Sequence, residues 1–176
     1  YLFHGRAGVG KDAAALAMAR TLNCEDQSFG GCGSCPSCVS IQTLDSPYFT
    51  YIHPVPARPK SMKEETYYDT VRKKLLERTA NPYREISFGP EFSTLPVIGI
   101  PQIRQLKKSV QFRTAAGVTR VIVISHAHRM TTQAANSLLK LLEEPPEATV
   151  LLLTSSAPGM LLPTIISRCQ SLRFDG

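Results

Sequence analysis

Gly5, Gly8, Gly10 and Lys11 stand at the spacing of a phosphate-binding loop, within the run His4-Gly5-Arg6-Ala7-Gly8-Val9-Gly10-Lys11-Asp12. In a G-x-x-x-x-G-K-[ST] loop, backbone N–H groups surround the phosphates, the lysine reaches the β and γ oxygens, and the final hydroxyl binds Mg²⁺. Asp12 occupies the place of that hydroxyl. A carboxylate about 4 Å from another negative charge is repelled by about 4 kcal/mol at an effective dielectric of ~20, unless a cation lies between them. The loop is expected to keep its cradle but with an altered metal clasp, binding ATP and Mg²⁺ weakly or not at all.

A second group of residues points to a metal. Cys24, Cys32, Cys35 and Cys38 form a C-x7-C-x2-C-x2-C array rich in glycine, serine and proline. Two-residue gaps let neighbouring thiolates turn to one tetrahedral centre, and the glycines allow the turn that brings Cys24 in as fourth ligand. Structural Zn²⁺ fits this array best; free thiols and an iron–sulfur cluster are the alternatives. Four sulfur ligands leave no position for water, so the metal would brace a loop and catalyse nothing. The fifth cysteine, Cys169, belongs to a different motif.

The elements that must position these groups follow from hydrophobic patterning. Tyr1 to His4 reads as a strand and Lys11 to Leu22 as an alanine-rich buried helix, which puts the glycine loop at a helix N-terminus. Val39 to Leu44 is predicted as a short helix, and Tyr48 to Ile52 as a strand ended by Pro54, Pro56 and Pro59. Met62 to Arg78 is charge-dense, with a narrow apolar stripe, and reads as a solvated helix; Ala80 to Pro96 reads as irregular connection. Ile100, Ile103, Leu106 and Val110 mark an amphipathic helix with Arg104, Lys107 and Lys108 on its outer side. Val121 to Ile124 is a buried parallel-type strand ending in Ser125-His126, where an active P-loop ATPase needs acidic residues. Thr131 is predicted to cap a helix that Pro145-Pro146 stop, followed by a strand from Val150 to Leu153, a short helix from Leu161 to Ile166 and a last strand from Gln170 to Phe174. Alternating strands and helices imply an α/β fold, a parallel sheet flanked by helices, with an inserted zinc-binding module.

The chain has 176 residues, 43% hydrophobic, with a formal charge of +6: enough for one full core. The charge permits contact with nucleic acid without requiring it, because a lysine-rich surface has the same signature. No apolar run approaches the ~20 residues of a membrane span. Starting inside a strand, the sequence reads as a fragment of a longer, cytoplasmic protein. His4, His53, His126 and His128 are scattered singly and read as structural residues without chemistry of their own.

With these motifs in place, the sequence resembles the AAA+ modules of bacterial clamp loaders, the polymerase III delta-prime and gamma/tau subunits. The resemblance rests on Gly5 to Lys11, the cysteine array at 24–38, the run from Ala134 to Pro146 with its Glu-Glu-Pro-Pro, the sensor-like Thr154-Ser155, and Ser167-Arg168-Cys169. The segment 45–95 matches least and is taken as a variable insertion. The resemblance implies a clamp-loader module over residues 1–176, acting with gamma/tau and delta in a hetero-oligomeric ring. Through that complex it would contact the sliding clamp and primer-template DNA, with no membrane. It also implies that Arg168 is an arginine finger reaching the ATP of a neighbouring subunit; a local ion pair with Glu143 or Glu144 is the competing role. Active gamma/tau subunits carry Ser or Thr where Asp12 stands and an Asp-Glu pair where Ser125-His126 stand, so this chain looks like delta prime, a stator without its own ATPase. The other readings are an active gamma/tau-type motor and a zinc-bearing nucleic-acid binding module that inherited the fold.

Overall fold

The computed structural model describes residues 1–175. Five strands form one sheet: β1 (Leu2–Gly5), β2 (Phe49–Ile52), β3 (Arg120–Ile124), β4 (Thr149–Ser155) and β5 (Ser171–Phe174). Their order across the sheet is β2-β3-β4-β1-β5, and every pairing is parallel. Six α-helices connect them: α1 (Lys11–Asn23), α2 (Pro36–Gln42), α3 (Glu64–Ala80), α4 (Ile100–Ser109), α5 (Thr132–Glu143) and α6 (Pro163–Ile166). This is the parallel α/β sheet expected from the alternation of strand and helix.

A parallel sheet must bury both faces, and β3 does so by strict alternation. Ile122 and Ile124 enter a core with Ile103 and Leu106 of α4, Leu138 of α5 and Ile165 of α6. Val121 and Val123 enter a second core on the opposite face, with Ala15, Leu16 and Ala19 of α1 and Ile41 of α2. Alanines at the contact let α1 lie close to the sheet. Each fully buried Leu or Ile contributes roughly 1.5–3 kcal/mol, and the two cores together fix the sheet between its helices. Asn23 ends α1 by clamping the entry to β3: its amide donates to Thr119 O (2.9 Å) and its Oδ1 accepts from Thr119 N (3.0 Å).

Most elements fall where the patterning places them, and Thr131 caps α5 by accepting from Ala134 N at 3.2 Å. Three readings need correction. The second helix is α2, Pro36–Gln42, and not Val39 to Leu44: Pro36 occupies its first turn and the Cys35 sulfur caps it, so it begins inside the cysteine array. The segment 45–95 is not one insertion, because β2 lies within it and pairs along β3 from Phe49↔Val121 to Ile52↔Ile124. Only the residues after β2 are additional to the sheet. Finally, α3 is not solvated throughout, since Arg78 and Thr79 near its end are buried.

Candidate functional site

The carboxyl ends of β1, β3 and β4 converge beneath the N-terminus of α1, where ligands bind in parallel α/β sheets. Gly10 caps α1 with φ 89°, a left-handed conformation that glycine adopts without penalty. Lys11 and Asp12, the first two residues of the helix, are both buried. Lys11 does not extend into an open cradle: Nζ donates to Gly5 O (2.9 Å) and Arg6 O (2.5 Å), carbonyls of its own loop. Burial pushes its ammonium pKa below the usual lysine value, while Asp12 opposes that shift.

Asp12 departs most from expectation. Its carboxylate turns inward to a closed set of partners instead of facing a phosphate across the loop. Oδ1 accepts from Thr154 Oγ1 at 2.5 Å. Oδ2 accepts from Ser125 Oγ at 2.7 Å and from the Arg78 guanidinium at 2.5 Å. Burial is the largest influence on the Asp12 pKa and pushes it up; the hydrogen bonds from Thr154, Arg78 and Ser125 together outweigh it and hold the carboxyl below its ordinary range. Arg78 is shifted upward: Asp12 overcomes the penalty of burial. Both shifts favour the charged pair.

Ser125 and His126 end β3 without an acid. The Ser125 proton goes to Asp12, so the Oγ lone pairs accept from His53 Nδ1 (3.2 Å) and His126 Nδ1 (2.8 Å). This fixes both neutral imidazoles with the proton on Nδ1. His126 turns the chain at φ 52°, a left-handed conformation rare outside glycine, and its N–H donates to Thr154 Oγ1 at 3.1 Å. His128 meets Ser155 Oγ at 3.2 Å. Three of the four histidines are therefore not scattered but gathered in one cluster, His53 edge-on to His126 with ring centroids 5.0 Å apart and His126 tilted against His128 at 5.8 Å. Burial first, and then the prospect of sharing positive charge with His126, pulls His53 down to about 3 and His128 to about 4.

Around this network lies a cleft of about 200 Å³, lined on one side by Gly8, Lys11, Asp12 and Thr154 and on the other by Tyr83, Ile86 and Phe88. The segment that reads as irregular connection thus folds back over the P-loop. Arg78 and Tyr83 are the site residues that sequence reasoning misses. Arg78 looks like one more charge on a charged helix, and nothing local in the sequence shows that its partner lies 66 positions earlier.

The cysteine array is assembled as predicted. One sulfur from each of Cys24, Cys32, Cys35 and Cys38 lies within 4.8 Å of the others. A tetrahedral Zn²⁺ with ~2.3 Å bonds needs sulfurs about 3.8 Å apart, so the donor set fits. Backbone N–H groups already point at the sulfurs: Cys32 N to Cys24 Sγ and Cys35 N to Cys32 Sγ at 3.3 Å, and Cys38 N to Cys35 Sγ at 3.4 Å. The Cys32 N–H leads in drawing the Cys24 thiol down to about 6, as suits a ligand that binds as thiolate, whereas burial pushes Cys38 up to about 12. At Gly31 (φ 82°) the loop passes so close to α1 that a Cβ would stand 2.5 Å from Arg20 Cβ. Cys169 lies outside the array.

Arg168 follows α6 and lines no part of its own chain's cleft. Its side chain is one-third exposed and pairs with Glu143 at the end of α5, through Nε (2.8 Å) and a terminal nitrogen (2.5 Å). It also donates to Thr164 O at 3.0 Å.

Sheet order, glycine loop and strand-end residues together define a P-loop-like α/β module in which Asp12, after the loop lysine, is engaged in an internal ion pair with Arg78. The chain belongs to the family described as DNA polymerase III, delta subunit, which matches residues 1–176. It is 32% identical over 175 residues to DNA polymerase III subunit delta' of Bacillus subtilis, covering 99% of this chain and 41% of that protein. Against the delta' subunit of Pseudomonas aeruginosa it is 32% identical, covering 96% of this chain and 40% of the relative. Against subunit gamma/tau of Mycobacterium tuberculosis it is 30% identical, covering 99% and 24%. The chain therefore spans about two-fifths of the delta' relatives and about a quarter of the gamma/tau relative. A gamma subunit-related protein from Thermotoga maritima is 27% identical over 73% of this chain and 41% of its own, with a TM-score of 0.43. No helix among the described residues is long and apolar enough to cross a membrane.

Two expectations follow from the site. Protein purified without chelator should carry one equivalent of zinc by elemental analysis, and Cys35→Ser should abolish it while leaving the far-ultraviolet circular dichroism of the sheet intact; a zinc content near zero in the unmodified protein counts against the assignment. The histidine cluster predicts an acid-side loss of stability. Histidines held neutral in the fold take up protons near pH 6.5 once unfolded, so stability is complete above that pH and falls as pH drops through 6.5 toward about 4 for His128 and about 3 for His53. The slope is at most ~1.4 kcal/mol per pH unit for each histidine. Denaturant titrations of His53→Asn across this range should give a shallower slope than the unmodified protein, and equal slopes would contradict the assignment.

Proposed function

We propose that this chain is the P-loop module of a delta-prime-type, non-hydrolysing subunit of the DNA polymerase III clamp loader, acting as a stator while neighbouring subunits hydrolyse ATP to load the sliding clamp. The observation that carries the reading is the end of β3: Ser125 and His126 offer no carboxylate to hold Mg²⁺ or to polarise water, and Lys11 is satisfied by its own loop. Family membership and the similarity to delta' subunits support it.

The partners of the reading are gamma/tau and delta subunits in a ring, with clamp and primer-template DNA contacted through the complex in the cytoplasm. Zn²⁺ at Cys24, Cys32, Cys35 and Cys38 acts as scaffold. Gly5, Gly8, Gly10, Lys11 and Asp12 are the remnant of the nucleotide site, and Thr154 and Ser155, in the sensor position, serve the internal network. Arg168 is assigned the trans-acting finger. The Glu143 pair holds its planar fork at the end of α6, and the pair must open for the guanidinium to reach a neighbour's phosphates. The 30% identity to a gamma/tau subunit keeps an active motor as the second reading. A motor would need replacements for the metal hydroxyl and for both strand-end acids.

Steady-state ATP turnover by the full-length protein separates the two. A rate on the order of one per second marks a motor, and no turnover above a Lys11→Ala control supports the stator. In the reconstituted complex, Arg168→Ala should leave assembly intact and slow ATP hydrolysis by the adjacent subunit, by up to ~10³ if the finger contributes fully. Unchanged hydrolysis removes the trans-acting role.

A further inference from the structure

We propose that Arg78 is a tethered replacement for the divalent cation of the P-loop site, and that the residues following it form a lid closed over their own loop. The module would then be held in one closed arrangement without nucleotide. The inference shares with the reading above only the premise that the loop does not turn over ATP.

The geometry around Asp12 carries the first half. In a loaded P-loop, the residue at position 12 and the end of the third strand jointly hold a cation. Here Asp12 at the first of these positions takes hydrogen bonds from Ser125 at the second and from Thr154, and the cation that reaches its Oδ2, at 2.5 Å, is the Arg78 guanidinium. Arg78 and Asp12 are 8% and 6% exposed, so water screens little of the attraction between them. The residue that is wrong for Mg²⁺-triphosphate is right for a guanidinium. Loss of the hydroxyl and gain of the arginine thus make one compatible pair.

The second half rests on what Arg78 holds. Its other terminal nitrogen donates to Arg84 O at 2.6 Å, so a single side chain joins the buried carboxylate to the segment beyond α3. That segment turns at 81–84, where Arg84 N donates to Asn81 O (3.1 Å) and Tyr83 N to Asn81 Oδ1 (3.1 Å). The turn sets Tyr83 over the P-loop: a Cβ on Gly10 would stand 3.6 Å from its hydroxyl oxygen. Farther on, Phe88 packs on Phe92 and Phe92 on Tyr67 of α3, with centroids 5.5 and 6.2 Å apart, returning the lid to the helix it came from. Pro82, Tyr83, Ile86 and Phe88 of the lid face Gly8, Gly10 and Lys11 across the cleft.

Thermal unfolding of the full-length protein tests this directly. Arg78→Ala leaves a buried carboxylate without its cation, and its Tm should fall by roughly 10 °C. Millimolar Mg²⁺ or methylguanidinium should restore at least about 3 °C to that variant and leave the unmodified protein unchanged. The double variant Asp12→Asn, Arg78→Ala has no charge to compensate, so its Tm should lie above that of Arg78→Ala and ignore both cations. If Arg78→Ala does not fold, the double variant decides: it folds on this account, and its failure to fold overturns it. A cation response that is equal in Arg78→Ala and the unmodified protein, or retained in the double variant, also overturns the replacement. For the lid, Tyr83→Ala removes a side chain that is 70% exposed. This change should speed protease cleavage within 81–92 by ~10-fold, about 1.4 kcal/mol of lost closure, whereas unchanged cleavage shows that the lid is not closed on the loop.

Discussion

A carboxylate buried beneath a parallel sheet's carboxyl edge has to be compensated, and the arrangement of this site follows from how Asp12 is. Three donors from three elements, Ser125 after β3, Thr154 on β4 and Arg78 on α3, meet its two oxygens. Removing any one partner leaves charge or lone pairs unsatisfied in a place water hardly reaches, and breaking a buried ion pair from one side typically costs 3–5 kcal/mol. That penalty ties α3, which otherwise belongs to the surface, to the N-terminus of α1. It also explains why the chain beyond α3 lies over the loop: the same guanidinium that neutralises Asp12 grips the Arg84 carbonyl.

Function follows from what this closure displaces. A P-loop works when its lysine, hydroxyl and strand-end acid face outward together. Here the lysine is turned onto Gly5 and Arg6, the hydroxyl position holds an inward carboxylate, and the acid position holds a serine that donates to that carboxylate. The two remaining chemical groups lie elsewhere. The four sulfurs gather in the connection between α1 and α2, and Arg168 lies at the end of α6 paired with Glu143.

The periodic signals were legible in the sequence. Val121 to Ile124 alternates between two cores as a doubly covered strand must, the glycine loop sits between strand and helix, and the two-residue cysteine gaps bring four sulfurs together. What could not be read was long-range and electrostatic. Asp12 reads as a misfit because the rule for that position is local, while its partner comes from a helix 66 residues later. His53 and His126 look isolated at a separation of 73 positions, yet parallel pairing of β2 with β3 places their strand ends side by side. The strand at Tyr48 to Ile52 was legible, but the segment 45–95 took it in as part of an insertion because only the pairing with β3 shows where it sits in the sheet.

The central claim is that an internal cation has taken the place of Mg²⁺-nucleotide. Isothermal titration calorimetry of the full-length protein with ATP, in the presence and absence of Mg²⁺, addresses it most directly. The account predicts affinity no tighter than about millimolar, roughly −4 kcal/mol, with no strengthening by Mg²⁺, because the metal position is already filled by Arg78. Submicromolar binding that depends on Mg²⁺ would contradict it.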